Sequence, residues 1–212
     1  MSLSSVVDND IEYIKNAKKK LIEASEAERH TNWTLFYNID PKIKVYTEDI
    51  GKNGCCSVCG TGIINAEPYE VLNEIRNRKN WKKMDSMLED SEYIDLSKDQ
   101  RIIHLMCSGL FGLISKRDIV FMETVSKKND TIIITSSNTD LEFYPISQEY
   151  VRMELRSGGW HIKPIDKNKS FVTYYTNIDL KMEYITQQII NIFMSKIPTV
   201  INKIECLIRE SR

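Results

Sequence analysis

The chain has 212 residues, 42% of them hydrophobic and 28% charged, which is the composition of a folded protein able to bury a substantial core. A formal net charge of −1 and a pI near 6.3 remove any general electrostatic pull towards phosphate backbones, so nucleic acid is not an expected partner. No run approaches the roughly 18 consecutive apolar residues that a membrane-crossing helix needs.

The opening MSLSSVVDND has neither a basic start nor a long apolar run and does not read as a signal peptide. Residues 1–7 are expected to be a flexible lead into one domain covering 8–212. Five cysteines, an odd number without framework spacing, point to a reducing compartment, and a cytoplasmic location is expected. Over residues 8–29, Ile11, Ile14, Ala17, Leu21 and Ile22 recur at helical spacing, with Lys18 to Lys20 as a solvated face. Three runs of β-branched and aromatic residues follow, 33–39, 43–48 and 55–64, and predict antiparallel strands. Residues 65–88 return to helical spacing, with Pro68 in the first turn and a break predicted within 77–80.

Six more strands are predicted at 92–96, 101–107, 117–127, 131–137, 150–164 and 171–178, the fifth bulged at Gly158-Gly159. The last 28 residues carry the strongest periodicity. Ile185, Ile189, Phe193, Ile197, Val200, Ile201, Ile204, Leu207 and Ile208 form one broad apolar face, and Pro198 predicts a kink near its middle. A long apolar helix following a large antiparallel sheet must be buried against it, so the sheet is expected to curl around this helix.

Five short stretches then fall in a familiar order: Arg78-Lys79-Asn80-Trp81, Lys116-Arg117-Asp118-Ile119-Val120, Tyr150-Val151-Arg152-Met153-Glu154, Gly159-Trp160-His161-Ile162-Lys163-Pro164 and Val172-Thr173-Tyr174-Tyr175. Together with the element order, they resemble the steroidogenic acute regulatory protein-related lipid transfer (START) domain family from about Trp33 to Arg209. The resemblance implies an α+β helix-grip fold: a curved antiparallel sheet of about nine strands wrapped around the long C-terminal helix, enclosing an apolar tunnel. It also implies a monomer that binds one lipid, most simply a phospholipid, and moves it between membranes with no cofactor, no metal and no catalytic step. A lipid-sensing module and a helix-grip enzyme are the competing readings. Departures from the family pattern include Lys82, where an acidic residue or Asn usually follows the Trp, and Met182-Glu183-Tyr184-Ile185, where a Gly-x-Ile-Pro turn is usual.

The site residues implied are these. Ile189, Phe193, Ile197 and Met106 would form the wall, although periodicity alone reads the helix residues as ordinary core. Leu110, Phe111, Leu113 and Ile114, flanked by Lys116 and Arg117, would make a loop that touches a membrane surface. Arg78 would meet a lipid phosphate, because a guanidinium fork donates two parallel hydrogen bonds. Arg156 falls where choline-binding members place a cage aromatic, and Met106 and Ile119 occupy other cage positions, so an acidic or small headgroup is expected rather than choline. Cys56-Ser57-Val58-Cys59 has the spacing of a zinc or redox pair, but no second pair accompanies it, and residues three apart on a strand point to opposite faces. For an enzyme, Glu154 and His104 are the acid-base candidates, neither with a clear partner.

Overall fold

The strongest periodic segment becomes the axis around which the rest is arranged. In a computed structural model, which describes residues 3–27, 32–40, 42–48, 55–109, 114–139, 144–182 and 186–212, helix α4 runs from Gln187 to Ser211. Thr186 caps it, its hydroxyl accepting from the Ile189 N–H at 3.4 Å. The helix continues through Pro198 without interruption. Ile201, Ile204, Leu207 and Ile208 are buried, each worth about 1.5–3 kcal/mol of apolar transfer, which fastens the C-terminal half of α4 to the sheet.

What α4 packs on is a curved sheet in the order β1-β2-β3-β10-β9-β7-β6-β5-β4. The strands are β1 (Thr34–Asp40), β2 (Ile43–Glu48), β3 (Cys55–Ile64), β4 (Leu88–Asp95), β5 (Gln100–Cys107), β6 (Arg117–Lys128), β7 (Thr131–Asn138), β9 (Glu154–Asp166) and β10 (Lys169–Asp179). Every neighbouring pair is antiparallel, and a two-residue strand β8 (Val151–Arg152) adds a short parallel pairing to β6. Helix α4 lies on β2, β3 and β10, where a Cβ added at Gly62 would sit 3.3 Å from Ile201. Helix α1 (Leu3–Ala24) covers the opposite face over β7 and β9, burying Ala17, Leu21 and Ala24. The expected fold class and the sheet wrapped around a C-terminal helix are what the structure has.

The helical stretch 65–88 resolves into α2 (Pro68–Arg76) and α3 (Arg78–Met84), broken at Asn77 as predicted. Asn77 is extended (φ −80°, ψ 99°), and its side chain accepts from the Lys79 N–H, so one residue ends α2 and caps α3. Three expectations differ. Helix α1 begins at Leu3 rather than at residue 8, and Ile22, read as part of its buried stripe, is 39% exposed. Strand β4 starts at Leu88, four residues earlier than its polar alternation suggested. The bulge falls at Arg156, because Asn177 pairs with Ser157 and Ile178 with Leu155, while Gly158 and Gly159 keep regular partners. Gly159 has a different purpose: its φ is +135°, and a Cβ there would meet the Ile134 carbonyl oxygen at 1.9 Å.

Candidate functional site

Side chains on a strand alternate between faces, and on β5 this sends Arg101, Ile103, Leu105 and Cys107 towards α4. They line a cavity of about 300 Å³ between the sheet and α4, at the lower end of the roughly 300–1,000 Å³ usual for ligand sites. Ile119 and Phe121 of β6, Leu155 and Trp160 of β9 and Val200 of α4 complete an apolar wall. From Arg101 to Cys107 the cavity follows the strand for about 20 Å.

Its two ends are polar in different ways. At the inner end Arg101 and Glu123 are almost fully buried, with side chains 4% and 6% exposed. Arg101 Nη2 donates to Glu123 Oε2 at 3.2 Å, and Arg76 Nε donates to Oε1 at 3.1 Å. The Arg101 guanidinium also lies 5.0 Å from the centre of the Trp81 ring. At the Cys107 end the lining becomes partly exposed: Ser108, Asp85, Lys196, Arg117 and Met182. This is the mouth. Lys196 Nζ stands 3.1 Å from Asp85 Oδ1, and Arg117 Nε donates to the Leu180 carbonyl at 3.4 Å. Burial lowers Arg117 from its ordinary value, the sign of a cation partly withdrawn from water.

Burial likewise pushes the Tyr174 phenol up to about 12 and the Cys107 thiol up to about 11, so both cavity groups are neutral at physiological pH. Tyr174 stacks on Trp160 with ring centres 4.3 Å apart. The C-x-x-C pair is split by strand parity. Cys56 lines the cavity, while Cys59 is buried on the α1 side with its thiol directed to the Ala24 carbonyl. Among the described residues no His, Cys, Asp and Glu group is suited to a metal ion.

Several residues named from sequence stand elsewhere. Arg78 is 47% exposed and reaches over β4, where Ser91 accepts through both its hydroxyl and its carbonyl and Asp90 lies 3.7 Å away. Trp81 and Met84 take the inner face of α3, and Arg78, at its first position, is left on the outer end. Met106 has the wrong parity on β5 and does not line the cavity. Arg156 is the extra residue of the bulge, exposed and 3.3 Å from Asp179. Ile189 is buried in the main core but outside the cavity wall. The side chains of Phe193 and Ile197, and all of Leu110, Phe111 and Leu113, lie outside the described residues. Ile114, taken with them as a membrane-contact residue, is 8% exposed and lines the cavity. His104 and Glu154, the acid-base candidates, both lie off the cavity, His104 against Asp118 and Glu154 against Lys181.

The sequence reading missed Arg101 and Glu123. The signal was present, since each is a charged residue in register with apolar ones two and four positions away on its strand: Ile103 and Leu105 for Arg101, Phe121 and Ile119 for Glu123. On the outer face of the same strands, Asp118 is 2% exposed and receives two hydrogen bonds from Arg152 at 2.9 and 2.7 Å. His104 Nε2 lies 2.9 Å from the same carboxylate. The Arg-Asp opening of β6 therefore serves two faces, Arg117 at the cavity mouth and Asp118 beneath residues 144–152.

Residues 14–204 match the START domain profile. The chain belongs to the START domain family. Membership implies a lipid-binding domain. The mouse acetyl-coenzyme A thioesterase is 26% identical over 176 residues, 80% of this START chain, which spans only 29% of the thioesterase's length. Human StAR-related lipid transfer protein 5 superposes with a TM-score of 0.78 at 16% identity, covering 95% of this chain and 98% of that one. Human STARD10 superposes with a TM-score of 0.75, also at 16% identity, over 88% and 76%. At these identities the solved structures establish the START fold.

Proposed function

We propose that this START domain takes up one phospholipid, chains inward and headgroup at the mouth, and carries it between membranes without a chemical step. The observation that carries this reading is an apolar cavity along β5 with cations, Arg117 and Lys196, at its partly exposed end. A lipid leaves a bilayer slowly because its chains must enter water at about 0.8 kcal/mol per CH2, on the order of 20 kcal/mol for two long chains. A protein cavity of similar polarity replaces that exposure, so transfer becomes an exchange between two comparable environments. With Arg117 and Lys196 set against the carboxylate of Asp85, the described lining of the mouth keeps one positive charge in surplus, which favours an acidic headgroup because charge-assisted hydrogen bonds to phosphate are about twice as strong as neutral ones. At about 300 Å³ the closed cavity is small for two full acyl chains, so uptake includes a parting of α4 from the sheet. The non-catalytic reading is supported by the neutral Cys107 thiol, a poor nucleophile, and by the placement of His104 and Glu154 away from the wall.

Movement of labelled phospholipid between donor and acceptor vesicles tests this. Catalytic amounts of protein accelerate exchange, fastest for acidic headgroups. Leu105→Trp, which fills the wall, abolishes it, and Arg78→Ala leaves it unchanged. Saturation at one lipid per protein without turnover makes the domain a lipid sensor, and solvent extracts containing only sterol overturn the phospholipid assignment.

A further inference from the structure

Behind the inner end of the cavity, the far side of Arg101 opens onto the protein surface. There Arg76, Tyr93, Asp95, Ser97, Lys98 and Arg101 line a shallow pocket. Arg101 lines both spaces, and Glu123 lines the lipid cavity, so this buried ion pair is the partition between them. The charges do not balance. Among the described residues, Arg76, Lys98 and Arg101 are set against Asp95 of the lining and Glu123 behind it, three positive charges to two negative, and two of the three cations are largely withdrawn from water, with side chains 21% and 4% exposed.

The hydrogen bonds do not balance either. Arg76 donates Nε to Glu123 and Nη1 to the Lys98 carbonyl; Arg101 donates Nη1 to the Arg76 carbonyl and Nη2 to Glu123. Each guanidinium carries five N–H donors, so donors remain on both. Arg101 Nε is one of them: although 2.8 Å from Glu123 Oε1, it is not aligned to donate and has no other acceptor among the described residues. A buried guanidinium with unused donors and excess charge is costly unless an anion completes it. Ser97 adds to the set, since its hydroxyl oxygen accepts from the Asp99 and Gln100 N–H groups and keeps its own proton to donate. The Tyr93 ring lies 5.6 Å from the Arg101 guanidinium and walls the pocket on one side.

We infer that this pocket is an oxyanion site, outside the lipid cavity, that takes a small water-soluble phosphate: inorganic phosphate or a phosphomonoester. Arg76, 21% exposed, presents the accessible guanidinium donors, the buried Arg101 adds its charge from behind, and Lys98 supplies a mobile counter-charge at the rim. The site stands whether or not the cavity holds a phospholipid, because the pocket lies on the other side of the Arg101–Glu123 partition.

The test is a titration of 15N-labelled full-length protein with inorganic phosphate, read at the Nε–H signals of Arg76 and Arg101, with sodium chloride at matched ionic strength as the control. Both signals are expected to move to saturation with phosphate and not with chloride. Arg76→Gln weakens the affinity by about tenfold or more, the loss of a charge-assisted pair. Lys98→Ala, at an exposed position that folding does not depend on, weakens it by about threefold. Shifts that never saturate, that chloride reproduces, or that are unchanged in the Lys98 variant overturn the site. Glycerol phosphate must act as inorganic phosphate does. A response confined to vesicles containing phosphatidic acid also overturns the proposal, because it locates the anion in a membrane.

Discussion

His161 and Asp118 show how two polar residues of the sheet set its response to acid. His161 is 4% exposed beneath α1, its Nδ1 has no hydrogen-bond partner among the described residues, and burial pulls it down from 6.5 to about 4. The unfolded chain binds that proton near pH 6.5 and the folded protein only near pH 4, so the contribution is fully present above 6.5 and is lost as pH falls towards 4. Over that window the loss is roughly 3 kcal/mol at about 1.4 kcal/mol per pH unit. Asp118 acts lower: burial raises its carboxyl, but the bonds from Arg152 and His104 outweigh that and hold it below the usual carboxylate range, so its contribution goes only in stronger acid. Urea unfolding at pH 7.0 and 5.0 is therefore expected to show a fall in stability that His161→Phe largely removes; an unchanged slope in the variant assigns the effect elsewhere. The same local bookkeeping explains why Arg78 misled. An Arg on a helix can be placed by spacing, but whether it meets a cavity or, as here, Ser91 depends on which end of a seven-residue helix it occupies.

At the scale of elements, the pairing of β7 with β9 depends on one residue without a side chain. Gly159 combines a φ of +135° with a carbonyl oxygen 1.9 Å from where a Cβ would stand. Gly159→Ala is expected to cost about 3–5 kcal/mol from backbone strain and overpacking together, visible as a lower urea midpoint with loss of β7–β9 amide protection. A variant as stable as the parent would place the constraint on this pairing elsewhere. Nearly all elements were legible in sequence, since a 3.6-residue period and a two-residue period are written directly in side-chain polarity. The break at Asn77 was legible for the same reason, while the bulge was not. Two glycines suggested a bulge at 158–159, yet the extra residue is Arg156, because the register is decided by how β9 pairs along β10, Asn177 with Ser157 and Ile178 with Leu155, and not by local composition.

Across the whole molecule, ligand and stability are linked. A lipid that binds only the folded protein adds RT ln(1 + [L]/Kd), about 2.7 kcal/mol at one hundred times Kd, which for a chain of this size raises Tm by roughly 5–10 °C. Thermal unfolding with and without detergent-solubilised acidic phospholipid is expected to show this rise in the parent and not in Leu105→Trp; a rise in both places the lipid outside the cavity. The sequence by itself determined the α+β class, the order of elements, the family and the broad ligand class, because all of these follow from periodicity and from motifs carried within single strands. Only the tertiary structure decided which residues form the site. Both faces of β5 mix polar and apolar residues, Gln100 and His104 with Ile102 and Met106 on one and Arg101 with Ile103, Leu105 and Cys107 on the other, so polarity could not distinguish Leu105, which lines the cavity, from Met106, which does not. The partition at Arg101 and Glu123 depends on bringing together charges 22 positions apart in the chain, and Lys196 reaches Asp85 across 111 positions. The first contact is set by the register of β5 against β6 and the second by where α4 lies against the residues after α3, both decided only when the elements are assembled.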